Sequence, residues 1–256
     1  IFIKCKNKFA LRVFIKKLIK FQKKHRKYVN NFRLCCFFTT KYFMNFNIEK
    51  YREIKDFIKK TNNYTDIIAI SKNHPKESVL KAIECGILQF GENRVMEAKT
   101  KFIDIKKQYP NLKLHLTGPL QSNKVKEAAE LFDVFHTLDR EKIALEFVKH
   151  REKIANKEFF IQVNTGEEKS KSGVYRNHLT DFINFCSKEL NLKICGLMCI
   201  PPINEDPSEH FLLLANLAKL NNFKQLSIGM SNDYEAAIKN GATYIRIGTL
   251  LFGVRK

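Results

Sequence analysis

The sequence of 256 residues contains no run of eighteen apolar residues, so it offers no membrane-spanning helix. It also lacks any C-x-x-C pair. Its seven cysteines, at positions 5, 35, 36, 85, 186, 195 and 199, are odd in number and have no matched histidine spacing, which argues against a zinc site or a disulfide framework. Cys195 and Cys199 flank the apolar run ICGLMCI and read as small buried hydrophobes facing one side of a strand, in a reducing compartment. Acidic residues are absent from positions 1–43, which carry thirteen Lys and Arg; of the net charge of +20, only +7 is left for the other 213 residues. The basic excess is mainly a tail property, and specific nucleic-acid binding is not expected from it.

A methionine is missing from the start: the chain begins at Ile1 and its first methionine is Met44. Residues 1–43 therefore read as an extension, separate from a body spanning 44–256. Within it Leu11, Phe14, Ile15 and Leu18 share one helical face, with Lys16, Lys17, Lys20 and Lys23 around the other. That pattern suits organelle targeting or a membrane surface; a disordered tail, or sequence upstream of a true start at Met44, are the alternatives. The body itself is expected in the cytoplasm.

With 44% hydrophobic residues, the body can bury the core of one domain. After a helix-like segment from Phe46 to Lys60, short apolar runs alternate with helical patterns: 67–71, 87–93, 112–118, 133–138, 159–165, 194–200, 225–231 and 242–248. Alternation of this kind marks parallel βα units, and eight strands is the count a closed (β/α)₈ TIM barrel requires; an open doubly wound sheet is the alternative. Pro75, Asp139 and Asp233 read as helix N-terminal signals.

In such barrels chemistry gathers where strands end on the C-terminal face. There the sequence places Ser71-Lys72, Gly91 to Arg94, His115 to Asn123, Asn164-Thr165, Gly229 to Asn232 and Arg246 to Thr249. Lys72 directly follows the first apolar strand, so its amine would emerge from an apolar floor, where desolvation favours the neutral nucleophile. Taken alone, a surface lysine is the commoner reading. The last two strands end in GMSND and RIGTLLFG, and loops at these positions build phosphate sites: backbone amides of Met230, Ser231, Gly248 and Thr249 would donate, with hydroxyls from Ser231 and Thr249. Arg246 shares a strand face with Gly248 and so points inward; against a pyridine nitrogen it could donate a hydrogen bond without giving up its proton.

The segments AISKNHP, FGENRVMEAKTK, LHLTGPLQSNKVK, HTLDREKIA, QVNTGEEKSKSGV, CGLMCIPP and LSIGMSNDYEAAIKNGATYIRIGTLLFG occur in order from about Met44 to Gly253. Together they resemble the pyridoxal phosphate homeostasis protein family, related to the N-terminal barrel of alanine racemase. The resemblance implies a single barrel of that type and pyridoxal 5′-phosphate (PLP) held as a Schiff base on Lys72. It further implies Arg246 near the pyridine nitrogen, Asn93 beside the ring, and phosphate contacts around Ser231, Gly248 and Thr249. The chain departs from the family at Leu114, where an aromatic residue is usual, and at Thr117, where a bulky one is.

Racemases of this kind set a tyrosine from a second domain opposite the imine lysine. Only three residues follow Gly253 here, so a cofactor carrier and regulator without catalytic residues is expected rather than an enzyme. A monomer is expected, with apo PLP-dependent enzymes as possible recipients of the cofactor. If 1–43 stand outside the domain, a chain beginning at Met44 should unfold as cooperatively as the whole one and bind PLP equally well. Loss of the cooperative urea transition on truncation would place the extension within the fold.

Overall fold

A computed structural model describes residues 46–61 and 64–254; the extension expected at 1–43, and its boundary at Met44, lie outside them. Helix α1 (Ile48–Thr61) precedes eight parallel strands: β1 (Asp66–Ile70), β2 (Gln89–Glu92), β3 (Lys113–Leu116), β4 (Val134–Leu138), β5 (Glu158–Gln162), β6 (Ile194–Met198), β7 (Gln225–Ser227) and β8 (Tyr244–Ile247). They pair in sequence order and β1 closes on β8, forming the expected barrel and excluding the open sheet. Helices connecting successive strands include α2 (Lys76–Glu84), α3 (Val95–Gln108), α4 (Val125–Leu131), α5 (Glu141–Val148), α6 (Arg151–Ile154), α7 (Leu179–Asn184), α8 (Pro207–Leu220) and α9 (Tyr234–Lys239), and α10 (Thr249–Phe252) follows β8.

Alternation along each strand divides the apolar residues between two layers. Ile67, Ala69, Phe135, Ile245 and Ile247 face outward into the layer under the helices, whereas Ile68, Ile70, Val134, Phe160, Met198 and Tyr244 form an inner cluster. The chain's many phenylalanines serve mainly the outer layer: Phe135 stacks on Phe159 at 5.2 Å, and Phe147 meets both edge-on.

Three features of the sequence reading need correction. The apolar runs overshoot the strands, β7 most of all, because the run continues through Ile228 and Met230 although Gly229, at φ +89°, turns the chain out of the strand. Asp139 does not cap α5; Arg140 occupies the N-cap, and the Asp139 carboxylate pairs with its guanidinium at 2.5 Å. Cys195 and Cys199 do not share a face: a register shift against β5 at Phe159/Phe160 turns Cys195 toward the inner cluster, while Cys199 lies beyond the strand in the outer one. Both remain apolar fillers, since burial pushes each thiol up to about 12.

The inner layer is not wholly apolar. His115 and His136 are completely buried there, 2.9 Å apart from Nδ1 to Nε2, with His136 stacked on Phe160 at 4.6 Å. Burial pushes His115 down to about 3 and His136 well below its ordinary 6.5, so both rings are neutral. Unfolded histidine takes up a proton below about pH 6.5, whereas these folded rings do not. The unfolded state therefore binds more protons as pH falls from 6.5 toward 3, and stability should fall with it, by roughly 1.4 kcal/mol per pH unit for each histidine. Urea unfolding at pH 7, 6 and 5 should show this slope, lessened by about that amount in His115→Phe; an unchanged slope in the variant would contradict it.

Candidate functional site

The predicted site residues gather at the C-terminal mouth of the barrel. Ile68 and Ile70 point inward on β1, and Lys72 lies half-buried in the turn that directly follows that strand. Arg246 lies opposite Ile68 in the β1–β8 register and is buried. Gly91 and Asn93 continue the inner face of β2, and Thr117 that of β3.

Arg246 has an unusual set of partners. Its Nη1 donates to the Ser227 carbonyl at 2.6 Å and to Ser227 Oγ at 2.8 Å, and its Nη2 donates to the Cys199 carbonyl at 3.0 Å. All three acceptors are neutral. Among the described residues arginine makes ion pairs at Arg140 and Arg176, and none at Arg246. Burial pulls its pKa below the ordinary 12.5, yet a guanidinium keeps its proton. The site thus holds a buried cation whose charge no carboxylate offsets in direct contact, which suits an anionic or electron-rich ligand.

Lys72 is fixed from the other side of the barrel wall. Glu92 points outward between β2 and α3, and its Oε1 accepts from Ser71 Oγ and from Lys101 Nζ, each at 2.7 Å. Lys101 Nζ also donates to the Ser71 carbonyl at 2.7 Å and to Glu97 Oε1 at 3.0 Å, and Glu97 Oε1 accepts the Asn73 amide. The residues on both sides of Lys72 are therefore tied to α3. Burial raises the Glu92 pKa despite Lys101, and its Oε2 has no hydrogen-bond partner among the described residues. Sequence reading missed this cluster, because Lys101 looks like one more exposed lysine on a helix.

Asn93 is held by Thr117, whose Oγ1 donates to Asn93 Oδ1 at 3.0 Å. Gly118 lies so close to it that a Cβ there would sit 2.5 Å from the Asn93 carbonyl oxygen, so only glycine lets the third loop approach. On the far side of the mouth, Gly229 turns the chain after β7 with φ +89°, a conformation that favours glycine. Ser231 lines one groove with Asp233 and with Leu250 of α10. Ser231 and Gly248 are half-buried and Thr249 is exposed. The Met230 amide, read as a phosphate donor, is engaged within its loop, donating to Asp233 Oδ1 at 2.5 Å, and the Met230 side chain is exposed. An anion would reach that amide only after Asp233 moved.

No group of three or more metal-ligating side chains occurs among the described residues, and no described helix is long and apolar enough to cross a membrane. The donor set fits PLP at four points: a lysine just after β1, a buried arginine bonded to neutral acceptors only, an ordered Asn93, and paired Gly-Ser/Thr loops.

The loss expected from breaking the Lys72 anchor follows from its burial. Lys101→Met would strand the buried Glu92 carboxylate, costing about 3 to 5 kcal/mol in urea unfolding. Adding Glu92→Gln should recover more than half of that loss; strictly additive losses would show that the pair is not coupled.

The profile of the family described as "Alanine racemase, N-terminal domain" matches residues 48–256. A pyridoxal phosphate homeostasis protein of Vibrio cholerae is 40% identical over 200 residues, covering 74% of this chain and 85% of that one. One from Escherichia coli is 36% identical over 199 residues, with 74% and 85% covered. PipY of Synechococcus elongatus, solved with PLP bound, superposes with a TM-score of 0.70 at 31% identity, covering 80% of this chain and 99% of that one. Alanine racemase of Acinetobacter baumannii, at 14% identity and a TM-score of 0.63, shares the fold, with 81% of this chain and 62% of that one covered. The chain belongs to the alanine racemase N-terminal domain family and, within it, to the pyridoxal phosphate homeostasis proteins.

Proposed function

We propose that this chain carries PLP as an imine on Lys72 and serves vitamin B6 homeostasis by holding and releasing the cofactor, without turning over amino acids. The observation that carries this reading is Arg246: a buried guanidinium whose hydrogen-bond acceptors are all neutral, on the inner face of the barrel. When bound, PLP supplies an aldehyde carbon, with which the Lys72 amine condenses and releases water. The remaining work is done by the chain. Arg246 donates to the ring nitrogen but keeps its proton, so the ring is a weak electron sink and carbanions at an attached amino acid gain little stabilisation. Asn93, ordered by Thr117, would stand beside the ring. Ser231, Gly248 and Thr249 hold the phosphate through hydroxyls and amides. A second amine that displaced Lys72 would release the cofactor, which suits delivery to apo PLP-dependent enzymes.

Mixing the protein with PLP should give a visible imine band and, after borohydride, a secondary amine at Lys72 that survives peptide mapping. Lys72→Ala should abolish both; an adduct at another lysine would reassign the site. Pyridoxal, which lacks the phosphate, should bind at least about tenfold more weakly for each charge-assisted hydrogen bond lost, and Ser231→Ala with Thr249→Ala should narrow that gap. Saturable turnover of an amino acid, lost in Lys72→Ala, would favour an enzyme.

A further inference from the structure

Beneath Arg246 an unbroken file of polar side chains crosses the barrel interior. Ser227 Oγ lies 2.8 Å from His136 Nδ1; His136 Nε2 lies 2.9 Å from His115 Nδ1; His115 Nε2 lies 2.7 Å from Gln89 Oε1. Gln89 Nε2 then donates to Asp66 Oδ2 at 3.3 Å, at the opposite, N-terminal end of the barrel. Arg246, Ser227, His136 and His115 are buried, where apolar side chains would fill the space without any need for partners.

The two ends of the file fix the direction of every bond in it. Arg246 can only donate, and Gln89 Oε1 can only accept. His115 must therefore carry its proton on Nε2 and accept at Nδ1. His136 then donates from Nε2 and accepts at Nδ1 from the Ser227 hydroxyl, whose oxygen receives Arg246 Nη1. One arrangement satisfies all the groups, and it requires both imidazoles to be neutral. A proton added to His115 would set its Nδ1–H against the His136 Nε2–H, one added to His136 would turn the Ser227 hydroxyl out of the file, and either would bring a second cation toward Arg246. Each hydroxyl or N–H dipole in the file turns its negative end toward the guanidinium and its positive end toward Asp66. Aligned dipoles polarise one another in a low-dielectric interior.

Resting on the proposed PLP site, we propose that Ser227, His136 and His115 are positioning residues for Arg246. Their one-way hydrogen-bond file fixes the guanidinium with no carboxylate in direct contact, Asp233 acting on it only through space, which leaves Arg246 to set the electron demand on the cofactor ring. A carboxylate in direct contact would hold the arginine equally well, but it would compete with the ring nitrogen for the same donors.

Two measurements on the full chain test this. In the protein without PLP, nitrogen-detected NMR of labelled histidine should show His115 and His136 both protonated on Nε2 and both neutral down to about pH 5. An Nδ1–H tautomer, or an imidazolium in that range, would overturn the proposal whether or not PLP binds. With PLP, His115→Phe is informative because His115 is two links away from Arg246. The expected result is a shift of about half a pH unit or more in the titration midpoint of the imine band, with a smaller shift in Ser227→Thr, which keeps the hydroxyl. An unmoved midpoint alongside a lowered Tm would reduce the file to packing and overturn the proposal. Should His115→Phe fail to fold, His115→Gln, smaller and polar, is read in the same way. Absence of any imine band in the unsubstituted protein would count against the carrier reading, and the NMR tautomers would still decide the file.

Discussion

The barrel is organised around one buried positive charge. Removing a guanidinium from water is costly unless hydrogen bonds and opposing charge replace the solvent, and proteins usually supply a carboxylate. Here Arg246 meets two carbonyls and a hydroxyl. Those carbonyls are available because β7 ends at Ser227 and β6 at Met198, so the chain leaves the ladder just where the guanidinium reaches. Short strands are thus part of the site. The same shortness moves Gly229, Ser231 and the loop after β8 to the rim, where they can surround a phosphate.

The two basic residues of the site are held by different layers of the protein. Arg246 is supported from within, by side chains of β3, β4 and β7 that fill the barrel axis. Lys72 is supported from outside, through Ser71 and Asn73, by the carboxylates and the lysine at the start of α3 and the end of β2. A perturbation of one support need not disturb the other. Under the proposed function, cofactor attachment and ring electronics could accordingly be altered separately.

Much of this was legible in the sequence, and the reason is parity. Arg246 lies within β8, so counting by two from Tyr244 gives its inward direction without coordinates, whereas Lys72 was read only from its place directly after β1. Asn93 was reached through family resemblance, and its tie to Thr117 explains why a smaller residue is workable at that position. His136 and Ser227 were overlooked although each is a polar residue inside an apolar strand, a signal that counting by two would have raised. Lys101 gave no such signal: helical spacing makes it one of several lysines on α3, and only packing of that helix against β2 reveals Glu92 beneath it. The engaged Met230 amide was equally hidden, since Asp233 could as well have capped α9.

The most direct test of the account is a crystal structure of the protein grown with PLP. The account predicts density continuous from Lys72 Nζ into the cofactor, the ring nitrogen about 2.9 Å from an Arg246 nitrogen, and His115, His136 and Ser227 still joined in file. A ring nitrogen facing solvent or a carboxylate, with Arg246 turned away, would contradict it.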